Sequence, residues 1–396
     1  MHTSSSPLKN YILVTGAYWV FTLSDGALRM LVLLHFYTLG YNALQIALLF
    51  LFYELAGIIT NLVGGWIGSR YGLKLTLMTG LCLQAIALST LANLDPSWPL
   101  WQAVGFVMAM QALSGIAKDL TKMSSKSLVK LLVADDQQPK LFKWVAILTG
   151  SKNALKGCGF FLGAGLLSWV GYTSALYLMA GSIAISIIFV FITENLGKTV
   201  KNIKFSSIFS KNREINILSG ARFFLFGARD IWFVVGLPIF LSIKLDWTHS
   251  EIGFYMACWI IGYGFIQSIA PKFVEGNAAT SRTWLIVILI ITLIIILGLY
   301  WDFYSVNFVL VGLIFFGIAF AINSSIHSYL IMAYSDKDRI AMNVGFYYMS
   351  NAGGRFFGTL FSGLLFQLGG MTYCMIGSLI FIALSYAITL ALNSKT

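Results

Sequence analysis

Long apolar stretches recur along the chain and are separated by short polar segments. A helix needs about 20 apolar residues to cross a bilayer. The pattern therefore predicts an all-α polytopic membrane protein with twelve transmembrane helices. The predicted spans cover residues 11–36, 43–67, 75–94, 99–120, 142–168, 173–193, 215–241, 250–270, 283–300, 305–331, 341–367 and 372–392.

The composition agrees with a membrane protein and gives no sign of an enzyme. Of the 396 residues, 58% are hydrophobic and 10% are charged, whereas soluble domains carry about 25% charged residues. The four cysteines lack the paired spacing of a disulfide framework or a zinc site. Catalytic motifs such as HExxH or a phosphate-binding loop do not occur in the sequence. We therefore expect neither catalysis nor a cofactor or metal ion.

The basic residues are distributed asymmetrically between the predicted loops. A net charge of +11 would suit a nucleic-acid partner. However, nineteen of the basic residues lie in the terminal segments and in the loops on one side of the membrane, and only Lys244 lies in the opposite loops. Because cytoplasmic loops are enriched in Lys and Arg, both termini are predicted to be cytoplasmic. The lipid bilayer, rather than nucleic acid, accounts for this charge.

The longest polar connection between spans divides the chain in two. It predicts an N-terminal six-helix half at 1–194, a cytoplasmic linker at 195–214 and a C-terminal six-helix half at 215–396. The halves repeat weakly, since Ile46–Asn61 aligns without gaps with Ile252–Gln267. Two parallel halves of six helices resemble the major facilitator superfamily, whose members bind substrate between the halves near the membrane centre.

Two lysines lie near the middle of the fifth predicted span. Lys152 and Lys156 belong to the stretch T-G-S-K-N-A-L-K-G and are four residues apart, so they share a helix face. A lysine at the bilayer centre costs roughly 2.5–3.5 kcal/mol. This face is therefore expected to line a polar interior. The other charged residues within predicted spans are Arg29, Arg222, Arg229, Arg355, Asp25, Glu54 and Asp230.

The surplus of positive charge inside the predicted membrane indicates an anionic ligand. Six basic residues accompany three acidic ones, so three positive charges have no acidic counterpart within the spans. A phosphate ester carries about −1.5 to −2 charges, and an arginine can bind two of its oxygens at once. The predicted substrate-binding residues are Arg29, Lys152, Lys156, Arg222, Arg229, Arg355, Asn153 and Lys118.

A structural role for these charges is the alternative. Interhelical ion pairs can lock a helix bundle, and Asp25 and Arg29, four residues apart, are the predicted pair. Asp25, Glu54 and Asp230 are also candidates for proton coupling. A neighbouring cation can switch a buried carboxylate between its charged and neutral forms.

A ladder of lysines follows the fourth span. Lys118, Lys122, Lys126 and Lys130 recur every four residues, and most of them are predicted to form a solvated cytoplasmic face. Lys118 and Asp119, nearest the membrane, are expected to line the cytoplasmic mouth of the site, where Lys118 would attract anions. Polar residues that either line the cavity or form helix–helix hydrogen bonds are Gln111, Ser114, Asn153, Asn323, Asn343 and Asn351.

The loop after the second span reads G-W-I-G-S-R-Y-G-L-K. It resembles the loop pattern G-x-x-x-D-R-x-G-R-K of the major facilitators. Ser69 stands at the acidic position and Leu73 at a basic one, so the charge relay of this loop is incomplete. The matching residues, which are predicted to form a gating loop, are Gly65, Arg70, Gly72 and Lys74.

Small residues four apart occur on two of the predicted spans. Gly159 and Gly163 lie on the fifth span, and Gly354 and Gly358 lie on the eleventh. Such a spacing lets two helix backbones approach closely. We predict that both faces pack against neighbouring helices.

Several longer stretches resemble a narrower family. Four strings in the N-terminal half are similar to the bacterial organoarsenical efflux permeases of the ArsJ type. They read YWVFTLSDGALRMLVLLHF, LFLFYELAGIITNLVGGW, ALSGIAKDLTKMSSKS and LTGSKNALKGCGFFLG. The C-terminal half follows more loosely, through FGARDIWF and NAGGRFFG. The strings around Lys118 and Lys152 are the most specific.

This resemblance implies a secondary active exporter of 1-arseno-3-phosphoglycerate that confers arsenate resistance. A glyceraldehyde-3-phosphate dehydrogenase makes this substrate from arsenate and would be the functional partner. The implied protein works by alternating access in the bacterial inner membrane, and we expect it to be a monomer. Three alternatives stay open: an organophosphate or phosphorylated-sugar exchanger, a drug:proton antiporter, and a receptor or assembly factor that transports nothing.

Overall fold

The computed structural model describes residues 7–71, 73–95, 97–131, 138–193, 210, 212–300, 306–334 and 340–392. Side chains are described at these positions except at 7, 64–71, 73, 123, 126–131, 138–150, 332 and 340–342. The α-helices of this part of the chain are α1 Pro7–Thr38, α2 Ala43–Tyr71, α3 Leu73–Leu91, α4 Leu100–Leu131, α5 Gln138–Phe191, α6 Arg213–Phe233, α7 Gly236–Leu245, α8 His249–Ile269, α9 Ala278–Tyr300, α10 Val306–Ala333 and α11 Ile340–Thr389.

Ten stretches of the described chain are long and apolar enough to cross a membrane. Two of them, Ser151–Phe191 and Asn343–Thr389, contain 41 and 47 residues. At 1.5 Å per residue each is about 60–70 Å long, roughly twice the thickness of the hydrocarbon core. Gly171 and Gly370 interrupt them with φ values of 78° and 64°, a backbone region that favours glycine. Each stretch is therefore two spans, and the predicted total of twelve is confirmed.

Capping side chains define where helices α6 and α8 begin. The side chain of Asn212 accepts hydrogen bonds from the backbone N–H groups of Glu214 and Ile215 at the start of α6. Thr248 and Glu251 form a reciprocal capping box at the start of α8. Each bond satisfies a backbone donor that has no partner within its own helix.

The linker predicted at 195–214 lies largely outside the described residues, so the division into halves stays a prediction.

Two helix pairs make the closest backbone contacts, α1 with α5 and α6 with α11. A Cβ atom at Gly159 would lie 2.6 Å from the carbonyl oxygen of Leu23 on α1. A Cβ atom at Gly354 would collide with the carbonyl oxygen of Phe223 on α6. Both faces of small residues therefore pack as predicted. These two pairs bring α1, α5, α6 and α11 around a common centre.

The contacts of α2 with α11 and of α5 with α8 join helices α1–α5 to helices α6–α11. A Cβ atom at Gly363 of α11 would lie 2.5 Å from the carbonyl oxygen of Ala43, at the start of α2. Gly253 at the start of α8 approaches Ala164 of α5 just as closely. We call the membrane side on which α1 begins the terminal side. These contacts close the opposite side of the bundle.

Candidate functional site

A cavity of about 460 Å³ lies inside the bundle. Its wall is formed by α1, α2, α4, α5, α6, α8, α10 and α11. On each of these helices the lining residues lie between the membrane centre and the terminal side. Buried aromatic side chains, including Phe160, Trp232 and Phe233, lie beyond its deep end. The cavity therefore extends from mid-membrane toward the terminal side.

Positive charge dominates the cavity wall. Among the described lining residues, seven are cationic and two, Asp25 and Asp119, are carboxylates. Most of the predicted binding residues therefore line one cavity, although α4, α5, α6 and α11 contribute them from distant parts of the sequence. The cationic lining residues are Lys118, Lys122, Lys152, Lys156, Arg222, Arg229 and Arg355.

A chain of ion pairs runs beneath the deep end of the cavity. Glu54 Oε1 accepts from Arg29 Nη2 at 2.5 Å and from Arg355 Nη2 at 2.7 Å. Arg355 Nε also donates to Asp230 Oδ2 at 3.1 Å, and Arg229 donates to Asp230 Oδ1. The two carboxylates are almost fully buried, with 1% of each side chain exposed. Three arginines thus share two acids, and Arg355 connects α11 to both α2 and α6.

One prediction about these charges is wrong, and one residue predicted to bind the substrate lies outside the described cavity wall. Asp25 was expected to pair with Arg29, but Asp25 Oδ1 accepts a 2.6 Å hydrogen bond from the Tyr53 hydroxyl, and Arg29 donates to Glu54 instead. Arg29 was expected to contact the ligand, but it does not line the described cavity wall. The reason is that Glu54 of the neighbouring α2 lies beside Arg29 and draws it behind Tyr53.

Other cations have no carboxylate within 4.0 Å in the described part of the chain. The Nζ of Lys156 lies 5.6 Å from the Phe160 ring centre, and that of Lys118 lies 4.0 Å from the Tyr53 ring centre. Arg222 contacts only neutral acceptors through its described hydrogen bonds. These three cations therefore add positive charge to the cavity that no described carboxylate within 4.0 Å neutralises.

The lysine ladder enters the site more deeply than predicted. Both Lys118 and Lys122 line the cavity, whereas Lys122 was assigned to a solvated face. Lys122 Nζ donates to Asp119 Oδ1 at 3.0 Å and to Asn61 Oδ1 at 2.9 Å. Thr60 also donates to Asp119, at 2.7 Å. Helix α4 continues beyond the apolar stretch, so Lys122, one turn after Lys118, still faces the cavity. The side chains of Lys126 and Lys130 lie outside the described ones.

Neutral polar residues complete the wall nearer the terminal side. Asn153 Nδ2 donates to Gln267 Oε1 at 3.2 Å, and Gln267 Nε2 donates to Ser324 Oγ at 3.3 Å. The Tyr263 hydroxyl donates to the same Ser324 oxygen at 3.2 Å. Sequence reasoning assigned no role to Tyr263 or Gln267. The repeat in which Gln267 aligns with Asn61 was the available signal, because both residues contact the cavity.

The other predicted polar residues divide between cavity and packing. Asn153 and Asn351 line the cavity. Ser114 instead donates to Gln84 at 2.7 Å, and Asn323 accepts from Ser281 at 2.8 Å. Gln111 and Asn343 are buried away from the described cavity wall. The hydrogen bonds of Ser114 and Asn323 therefore fit the helix–helix alternative.

The predicted gating loop is described only at its end. Gly72, the surroundings of Gly65 and the side chain of Arg70 lie outside the described part. Lys74, at the start of α3, donates to the backbone carbonyls of Phe191, at 2.9 Å, and of Thr193. Arg282, at the start of α9, binds the carbonyl of Leu392 in the same way, at 2.6 Å. Both cations satisfy carbonyls at the ends of the long helices α5 and α11.

Sequence and structure comparisons place this architecture in a known family. The family model of the Major Facilitator Superfamily matches residues 14–235 and 218–395. The chain belongs to the major facilitator superfamily. This facilitator also shares its fold with a D-xylose-proton symporter, at a TM-score of 0.74 and 12% identity, with 98% of each chain covered.

A second solved structure shows the same fold. It is a bacterial homologue of the iron transporter ferroportin in an inward-facing state, with a TM-score of 0.76 and 15% identity. The comparison covers 99% of this facilitator and 100% of that chain. No curated protein shows significant sequence similarity to this facilitator. The comparisons thus establish a multi-pass membrane transporter of this superfamily.

Proposed function

We propose that this facilitator is a secondary active exporter of an anionic organoarsenical, 1-arseno-3-phosphoglycerate, and that it works by alternating access. The observation that carries the proposal is the charge of the cavity, whose described wall has seven cations and two carboxylates. A ligand with a phosphate and a second oxyanion would neutralise Lys156, Lys118 and Arg222. The resemblance to ArsJ-type permeases supports the arsenical among such ligands.

The position of the cavity fits export. If both termini are cytoplasmic, as the Lys and Arg distribution predicts, the terminal side is the cytoplasmic side. The cavity then extends toward the compartment in which a dehydrogenase makes the substrate. Pentavalent arsenic presents oxygen atoms, so guanidinium and ammonium groups are suitable partners, as they are for phosphate.

The drug:proton antiporter is disfavoured by the same charges. A cavity for hydrophobic drugs has a predominantly apolar lining with few polar groups. Here the described wall holds nine ionisable side chains of the Lys, Arg and Asp types. Neutralising one of these cations should leave dye efflux unaffected in a drug exporter and should abolish transport in an anion exporter.

The test is uptake into inside-out membrane vesicles that contain the full chain. The vesicles receive arsenate, glyceraldehyde-3-phosphate and NAD, with or without the dehydrogenase, and the accumulated arsenic is counted. We expect accumulation only when the dehydrogenase is present. Enzyme-independent uptake would point to arsenate itself, and uptake of 3-phosphoglycerate without any arsenic would favour the organophosphate exchanger.

A matched pair of variants connects the transport to the cavity. Lys156→Gln removes a cavity cation that has no ion pair in the described part, and we expect it to reduce uptake at least tenfold at normal membrane abundance. Lys272→Gln removes the same charge from an exposed position outside the described cavity wall, and uptake should be unchanged. Equal uptake by Lys156→Gln and the unmodified protein would contradict the proposed role of the cations.

A further inference from the structure

We propose that the cavity contains a second oxyanion subsite, formed by Arg222, Tyr263 and Gln267 where these residues converge on Ser324. The inference rests on the proposed function as an anion carrier and deepens it, because it assigns two binding residues beyond the predicted set. The ligand group is a tetrahedral oxyanion of the phosphate or arsenate type.

The first support is an excess of donors at one oxygen. Ser324 Oγ accepts from Arg222 Nη1 at 3.0 Å, from the Tyr263 hydroxyl at 3.2 Å and from Gln267 Nε2 at 3.3 Å. A hydroxyl oxygen has two lone pairs and one proton, so only two of these three groups can donate to it at once, and its own proton can turn to the Tyr263 oxygen. The Tyr263 proton is then available for an acceptor on the cavity side. Ser324 is fully buried, whereas its three partners line the cavity. An oxyanion on the cavity side of these donors would offer each of them an acceptor.

The second support is the unbalanced charge of Arg222. Its residue is 4% exposed, and its described hydrogen bonds go to Asn351 Oδ1 and to Ser324, all of them neutral acceptors. Buried charges in proteins are usually paired with an opposite charge. The guanidinium carbon lies 3.7 Å from the Phe226 ring centre, which holds the group in place. The arrangement is a pre-oriented donor whose described acceptors carry no negative charge.

The third support is the position of this subsite relative to Arg229 and Arg355, which line the deeper part of the cavity. Arg222 precedes Arg229 by seven residues on α6, and Asn351 precedes Arg355 by four residues on α11. At 1.5 Å per residue these separations are about 10 Å and about 6 Å along the helix axes. Two layers of anion-binding groups therefore follow one another along the cavity. A ligand with two oxyanions separated by a short carbon chain can engage both layers.

The subsite also lies where helices α1–α5 meet helices α6–α11. Gln267 of α8 accepts from Asn153 of α5 through its carbonyl oxygen and donates to Ser324 through its amide nitrogen. An anion that binds the amide group of Gln267 would therefore act next to a contact between α5 and α8. This places the second subsite at a junction that alternating access has to rearrange.

The test measures the affinity of the purified full-length protein for alkane-α,ω-diphosphonates by isothermal titration calorimetry. The spacer is varied from one to eight methylenes, each adding about 1.3 Å because carbon–carbon bonds are about 1.5 Å long. Methylphosphonate serves as the one-ended reference. For the unmodified protein we expect the affinity to peak at about four to six methylenes, the lengths that span the two layers, and to exceed that of methylphosphonate at least tenfold.

Two variants of α8 make the test specific. Tyr263→Phe removes one donor of the subsite and should lower the peak affinity about tenfold, because hydrogen bonds to charged groups are strong. It should also flatten the dependence on spacer length. Tyr255→Phe removes a hydroxyl of the same helix that donates to the carbonyl of Leu310 outside the described cavity wall. This control should bind like the unmodified protein.

The outcomes separate this inference from the proposed function. If the affinity is the same for all spacers, or if Tyr263→Phe binds like the unmodified protein, the second subsite is refuted while anion transport stands. If neither methylphosphonate nor any diphosphonate binds, the anion carrier itself is refuted. A peak that Tyr263→Phe abolishes and Tyr255→Phe retains supports the subsite.

Discussion

Replacement of Glu54 by glutamine tests the buried ion-pair chain most directly. Glu54 Oε1 accepts from both Arg29 and Arg355, so Glu54→Gln removes the acid that two arginines share. Arg355 retains Asp230 as a partner, but Arg29 loses its described carboxylate. The variant therefore leaves one buried cation without an acid.

The magnitude follows from the burial of this group. With about 4 Å between charge centres and an effective dielectric constant of about 20, each pair contributes about 4 kcal/mol before desolvation is subtracted. Removing one partner of a buried pair typically costs about 3–5 kcal/mol, since the other charge stays buried and unpaired. We expect Glu54→Gln to lower the free energy of unfolding by this amount.

Arg355→Gln provides an internal comparison. It also breaks a contact of Glu54, but Glu54 retains Arg29 and Asp230 retains Arg229. Because each remaining charge of these buried ion pairs keeps a partner, we expect the free energy of unfolding to fall by only about 1–2 kcal/mol. The structure thus predicts an asymmetry between two substitutions that disrupt the same ion pair.

The assay is reversible unfolding of the purified protein in mixed detergent micelles, followed by tryptophan fluorescence. The double variant Arg29→Gln/Glu54→Gln completes the series. It removes the orphaned cation as well, so it should be more stable than Glu54→Gln alone. If Arg355→Gln destabilises the protein as much as Glu54→Gln does, or if the double variant is less stable than Glu54→Gln, the proposed sharing of charge among these ion pairs is wrong.

Three further predictions concern packing, a helix end and access to the cavity. Gly354→Ala should cost about 1–3 kcal/mol in unfolding free energy because its Cβ meets the carbonyl of Phe223, whereas Gly262→Ala, inside α8 with open space around it, should cause no loss. Arg282→Gln should lower the unfolding free energy by about 0.5–2 kcal/mol, since it removes the cation at the end of α11. In a cysteine-free background, Ser325→Cys should react faster with an anionic than with a cationic thiol reagent of similar size, and equal rates would argue against a positive cavity.

The membrane architecture was predictable because the bilayer imposes a length on every span. Apolar stretches of about 20 residues identified the twelve spans without any knowledge of their contacts. The glycine faces around Gly159 and Gly354 were equally readable, since spacing alone determines which residues share a face of a helix. The two long helices break at Gly171 and Gly370, within the short gaps between the predicted spans 142–168 and 173–193 and between 341–367 and 372–392.

The ion pairs were not predictable, because they depend on which helices become neighbours. Spacing along α1 favours Asp25 as the partner of Arg29, but Glu54 of α2 reaches the guanidinium. The same reasoning underestimated Lys122, since hydropathy marks where an apolar stretch ends and not where a helix stops facing the cavity. A neutral residue such as Tyr263 carries no sequence signal of its own, because tyrosine is common in packed spans.

The pairing within the bundle separates two kinds of cation that look alike in the sequence. Arg29 is held by a buried acid and does not line the described cavity wall, so its neutralisation should leave anion binding intact. The loss of stability should be small, because Glu54 retains Arg355. Lys156 has no carboxylate within 4.0 Å in the described part of the chain. Its burial therefore already lowers the free energy of unfolding of the unmodified protein. Its neutralisation should therefore leave abundance intact and reduce anion binding. Because two buried acids balance two of the three arginines from behind, the remaining positive charge and the cations without a described carboxylate are available to a ligand.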